Sequence, residues 1–183
     1  MRNNPLADWL RAVLPALAWL LLRHAGRGLP PAAEFGLEAA LAGAAGWLYC
    51  REKGTGEFRL KGKAGILYLG LGILFGAACR LCFGKPEGRE ASVSAFFQLC
   101  ILGPAAEEII YRGLVQSRLR RLLPEAGAAA VSALLFAAAH ETPVRMACAG
   151  AAGLLLARAY RKTGSITVPV LMHIFFNMAA FIP

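Results

Sequence analysis

A chain of 183 residues that is 57% hydrophobic and only 17% charged is more apolar than a soluble globular domain, which runs at roughly 45–50% apolar and about 25% charged. That balance excludes a disordered chain and argues against an ordinary soluble enzyme. The formal charge is nevertheless +9, which suits either nucleic acid or an anionic membrane surface, so the placement of the charges has to decide.

Seven mainly apolar stretches follow one another along the chain. The first, residues 5–22, is interrupted by Asp8, Arg11 and Pro15. These interruptions, and the apolar stretch that comes next, favour an uncleaved anchor over a cleavable signal peptide. The second, 35–50, holds Glu38 in its first turn and is rich in Ala and Gly. Either of these two is expected to span, tilt or lie in the interface. The third, 64–83, ends on Cys79 and Cys82, a C-x-x-C pair that is half a zinc site at most and reads better as small apolar side chains. The fourth runs from 92 to about 112 and continues as helix to near Leu119. The fifth, sixth and seventh cover 126–140, 144–160 and 164–183. Several approach the roughly 20 residues needed to cross a hydrocarbon core about 30 Å thick. Frequent Ala and Gly suit close helix approach in lipid. The expectation is an all-α, polytopic integral membrane helical bundle of about seven transmembrane helices (six to eight), one domain over 1–183 with its motif-bearing half at about 92–182.

The polar links at 51–63, 80–90, 118–125 and 158–162 are short and basic. With seven spans, the N-terminal side carries twelve Lys and Arg and the other side six, Arg23 and Arg27 being counted in the latter. The positive-inside rule then places the N-terminus in the cytoplasm and the C-terminus outside. The basic residues meet lipid headgroups, and no nucleic-acid partner is expected.

Ionisable residues at membrane depth are costly and point to function. Here they concentrate in the last four stretches. The fourth contains Glu107-Glu108 with Arg112, the fifth ends on Phe136 and His140, and the seventh contains His173 and Asn177. Adjacent helical residues point about 100° apart, so Glu107 and Glu108 are expected to serve different sites. Glu108 and Arg112 are four apart and can pair along one face, which leaves Glu107 without a local cation. Gly103 and Pro104 are placed to kink the helix or open its hydrogen-bond ladder. Phe136 and His140, like His173 and Asn177, share a face. At 1.5 Å per residue, Glu107, His140, His173 and Asn177 lie about 14–21 Å from the cytoplasmic ends of their helices, a common depth. His24, in a loop with Arg23 and Arg27, reads as solvated, and Glu34, Glu38 and Glu141 read as interfacial carboxylates.

A carboxylate beside an imidazole can hold and deprotonate water, and a second His with an Asn can donate to a developing oxyanion. That set describes water-mediated hydrolysis of an acyl bond such as a peptide. Ser132 and Ser165 have no base at helical spacing, which argues against a serine nucleophile.

The motifs E-E-x-x-x-R at Glu107–Arg112, F-x-x-x-H at Phe136–His140 and H-x-x-x-N at His173–Asn177 together resemble those of the CPBP family, which comprises the CAAX prenyl proteases and the bacteriocin-processing (Abi) endopeptidases. The resemblance covers about residues 92–182. It implies a glutamic-type intramembrane endopeptidase with no cofactor, acting on a membrane-tethered protein or peptide. It further implies Glu107 as the water-activating carboxylate, His140 as its partner, His173 and Asn177 as the oxyanion pair, and Glu108 and Arg112 as supporting residues beside Phe136. Two alternatives stand beside it: a zinc-dependent membrane protease using the same residues, and a non-enzymatic membrane scaffold or immunity protein.

Overall fold

The computed structural model describes residues 4–26, 28–59, 62–83 and 92–181. Among these are seven helices and no strand. They are α1 (Pro5–Gly26), α2 (Pro31–Lys53), α3 (Gly62–Phe83), α4 (Val93–Leu119), α5 (Glu125–Ala138), α6 (Pro143–Thr163) and α7 (Thr167–Phe181). The ends follow local chemistry. Ser92 and Thr142 accept the backbone N–H of Ala95 and Arg145 at 3.1 and 3.2 Å and start α4 and α6. Gly164, at φ +56°, closes α6 in the left-handed conformation that a residue with a side chain rarely adopts. Most of the basic link expected at 80–90, and Arg27, lie outside the described residues.

α1, α4 and the Gly62–Cys82 part of α3 are long and apolar enough to cross a membrane, while α5 and α7 are apolar but shorter. The chain is an all-α membrane helical bundle. The first stretch is stronger than its sequence suggested, because α1 runs unbroken through Pro15 for 22 residues. Its early charges form an Asp8–Arg11 pair at 3.5 Å. The helix also extends past residue 22, so Arg23 and His24 sit in its last turn rather than in a loop.

α4 is the hub and touches α1, α2, α5, α6 and α7. Its second half buries Ile110, Tyr111, Val115 and Leu119 against Ala12, Ala16 and Trp19 of α1 and Ala128 and Phe136 of α5, while Leu114 packs with Tyr49, Tyr160 and Ile166. Burying a large apolar side chain stabilises by about 1.5–3 kcal/mol in water; inside lipid the same contacts act through close packing. α3 lies outside the hub and packs along α7. Small residues permit that contact. A Cβ on Gly72 would come within 2.6 Å of the Met172 carbonyl oxygen, and one on Gly76 within 2.6 Å of that of Phe176. These two carbonyls flank His173, so the G-x-x-x-G spacing on α3 sets where the α7 backbone lies. Gly72→Val is expected to destabilise the bundle by about 1–3 kcal/mol through overpacking, read as a lower unfolding midpoint in detergent.

At the other end of the bundle the α2–α3 connection is pinned. The Glu57 carboxylate accepts from Tyr49 of α2 and Tyr160 of α6, both at 2.6 Å, and the backbone N–H of Ile166 donates to the Glu57 carbonyl at 3.1 Å. Ser165 donates to the carbonyls of Glu57 and Arg59.

Candidate active site

The site is built around an opened helix. α4 widens into π-type turns over Gln98–Leu102 and again over Ile109–Gln116, with an α-helical segment, Gly103–Glu108, between them. Pro104 supplies one physical reason. In the π register the Gly103 N–H bonds to the Gln98 carbonyl, so the next carbonyl, Leu99, would need the N–H of residue 104. Proline has none. The freed Leu99 oxygen instead accepts Asn177 Nδ2 from α7 at 2.8 Å. In the second widened segment, the Tyr111 carbonyl accepts Ser132 Oγ at 2.8 Å and the Arg112 carbonyl accepts Ser117 Oγ at 3.2 Å. Ser132 and Ser165 thus spend their hydroxyls on backbone carbonyls. π-type turns of this kind recur at functional sites. Asn177→Ala would leave the Leu99 carbonyl unpaired. The expected loss is about 1–3 kcal/mol, measured by unfolding in detergent.

His173 joins the two glutamates. Its Nδ1 lies 2.9 Å from Glu108 Oε1, and its Nε2 lies 4.0 Å from Glu107 Oε2. Glu108 accepts, so Nδ1 carries the proton and Nε2 faces Glu107. The expectation that adjacent glutamates serve different sites is therefore corrected. An imidazole presents a nitrogen on each of two edges, and the ring sits between side chains that diverge along α4. All three are nearly or fully buried: Glu107 at 8% exposure, His173 at 3% and Glu108 at 0%.

Glu108 does pair with Arg112, at 3.1 Å and with neither side chain exposed. Arg112 also donates from Nη2 to the Gly153 carbonyl at 3.1 Å, and its guanidinium lies 4.8 Å from the Phe136 ring centroid. Phe136 meets both histidine rings edge-on, His140 at 5.2 Å and His173 at 5.6 Å between centroids. His140 lies two residues beyond the end of α5, not within it. Its Nδ1 faces the Phe136 carbonyl at 3.0 Å, which as an acceptor places the proton there and leaves Nε2 as an acceptor. Glu107 is an electrostatic neighbour of His140. Asn177 is partly buried and meets α4 about two turns before Glu107.

The larger correction concerns Glu107, which has a cation that its own helix does not supply. Arg23 Nη1 donates to Glu107 Oε1 at 2.6 Å, and Arg23 Nε lies 3.3 Å from Glu38 Oε1. The sequence alone suggests a loop for Arg23 and an interface for Glu38, yet Arg23 lies in the last turn of α1 and Glu38 is only 6% exposed. The available signal was Glu34 and Glu38, four apart on one helix face, across a short turn from an arginine at the end of the preceding helix. Among the described residues, no group of three or more His, Cys, Asp and Glu side chains is placed to hold a metal ion.

Residues 89–179 match the family model of the type II CAAX prenyl endopeptidase Rce1-like proteins. No curated protein and no solved structure matches the chain.

Proposed function

Because the chain belongs, through residues 89–179, to the Rce1-like family of type II CAAX prenyl endopeptidases, a family of membrane endopeptidases, we propose that it cleaves a membrane-tethered protein or peptide with water activated by Glu107. One observation carries the reading. Glu107 Oε2 and His173 Nε2 stand 4.0 Å apart, too far for a direct hydrogen bond and close enough for one water to touch both.

Glu107 accepts a proton from that water as the hydroxide adds to the substrate carbonyl carbon. It returns the proton to the amide nitrogen as the C–N bond breaks, so the products are a carboxyl group and an amine. His140, with Nε2 as an acceptor, helps hold the water. His173 and Asn177 serve the oxyanion. Asn177 has a second N–H besides the one given to Leu99, and Glu108 fixes the orientation of His173 so that its Nε2 edge meets the same oxygen. Arg112 and Phe136 hold Glu108 and the two imidazoles in register.

The test is mass spectrometry of a panel of membrane-tethered peptides, covering prenylated C-termini, C-terminal sorting segments and bacteriocin-like peptides. Wild-type protein is run beside Glu107→Gln, with and without chelator. Product from wild type alone, insensitive to chelator, is the expected result. Equal product from both proteins rejects the mechanism, and activity lost to chelator and restored by zinc assigns the same residues to a metal.

A further inference from the structure

Three carboxylates gather in this site, Glu38, Glu107 and Glu108, with two guanidiniums among their described partners. Arg112 is committed to Glu108 at zero exposure, so Arg23 serves both Glu107 and Glu38. It arrives from α1, outside the residues that match the family model. Its side chain is 32% exposed, while those of Glu107 and Glu38 are 11% and 8%. The arginine therefore covers two inner carboxylates from the open side.

The geometry of the guanidinium is more specific than a charge would need. Two nitrogens engage two different carboxylates, and the group lies 5.5 Å from the Trp19 ring centroid. Stacking on an aromatic face and forked hydrogen bonding both restrict a planar guanidinium. With Oε1 of Glu107 held at 2.6 Å, the other oxygen, Oε2, is the one that faces His173 Nε2. A carboxylate free to rotate would exchange the two.

We infer that Arg23, anchored by Glu38 and Trp19, is a positioning residue for the reaction: it fixes the rotation of the Glu107 carboxylate so that Oε2 is presented to the water beside His173. This rests on the proposed role of Glu107 as the base. A charged hydrogen bond contributes about 1.5–3 kcal/mol, which corresponds to about 10–100-fold in rate if it is needed only to aim the base. Arg23 is partly exposed and lines a small cleft with Gly26, Glu34, Leu37, Glu38 and Leu41, so truncating its side chain leaves a space that borders the outside.

The experiment measures kcat and KM for Arg23→Ala, Arg23→Gln and Arg23→Lys on a substrate cleaved by wild type, with Glu107→Gln as the control. Arg23→Ala and Arg23→Gln are expected to lose about 10–100-fold in kcat with KM within about twofold. Arg23→Lys is expected to fall between them and wild type. Added guanidinium chloride at low millimolar concentration is expected to restore part of the Arg23→Ala rate and none of the Glu107→Gln rate. If Arg23→Ala does not fold, Arg23→Gln decides by the same kcat criterion. Wild-type or higher kcat in the folded neutral variants overturns the inference, as does a loss confined to KM. A folded Arg23→Ala that neither lysine nor guanidinium improves also overturns it, because a purely structural role would behave that way. An active Glu107→Gln instead rejects the base itself, and an inactive Glu107→Gln beside a fully active Arg23→Ala rejects only the positioning role.

Discussion

Glu107→Gln is expected to lower kcat by about 10²–10⁴-fold while the protein remains folded. The amide has nearly the volume of the carboxylate and still offers an oxygen to Arg23, so the contact at 2.6 Å keeps an acceptor. What is lost is the oxygen that accepts a proton from water. KM should change little, because the substitution removes an interaction made in the transition state rather than one made equally with bound substrate. His173→Ala should also be severe, since His173 lies 4.0 Å from Glu107 Oε2 and 2.9 Å from Glu108 Oε1. Groups that act as one unit are not additive, so the double variant should lose much less than the product of the two single losses. Single-turnover cleavage on one tethered substrate measures all three. Wild-type product from Glu107→Gln would end the assignment.

Arg112→Ala is expected to be the most damaging substitution for stability, at about 3–5 kcal/mol. Arg112 and Glu108 are both fully buried, so removing the guanidinium leaves a carboxylate at depth with His173 as its remaining described partner. The Gly153 carbonyl loses its side-chain donor, and Phe136 loses the cation lying 4.8 Å from its ring centroid. A buried ion pair replaced on both sides by neutral groups is often close to neutral in stability, whereas one broken on a single side is not. Glu108→Gln combined with Arg112→Met should therefore recover most of the lost stability. It should not recover activity, because the orientation of His173 depends on the Glu108 carboxylate. Unfolding midpoints in detergent, set beside cleavage rates for the same preparations, separate the two effects. An Arg112→Ala protein as stable as wild type would show that neither the buried pair within α4 nor the Arg112–Gly153 bond to α6 carries the stability of the bundle.

The all-α membrane class is legible in a hydrophobic content of 57% and short basic links between apolar stretches. The sequence also placed Glu108 with Arg112, because that relation is set by the period of a single helix; Phe136 bears on His140 too, but across the turn that follows α5. The break in the α4 ladder was legible at Pro104 for a similar reason, since a residue without an N–H leaves a carbonyl unpaired whatever surrounds it. The family motifs belong to the same stretch of chain and were visible for the same local reason.

Only the tertiary structure decided which partners meet across helices. Arg23 read as a loop residue because the first apolar run ends at Leu22, yet α1 continues to Gly26 and aims that arginine at Glu107, 84 residues away. Glu38 read as interfacial because its burial depends on α1 lying over it. The shared use of His173 by Glu107 and Glu108 was also hidden, since the 100° between neighbouring side chains says nothing about a third group large enough to sit between them. Helical periodicity records which residues share a face; the packing of one helix on another, set here by residues as small as Gly72 and Gly76, records what that face meets.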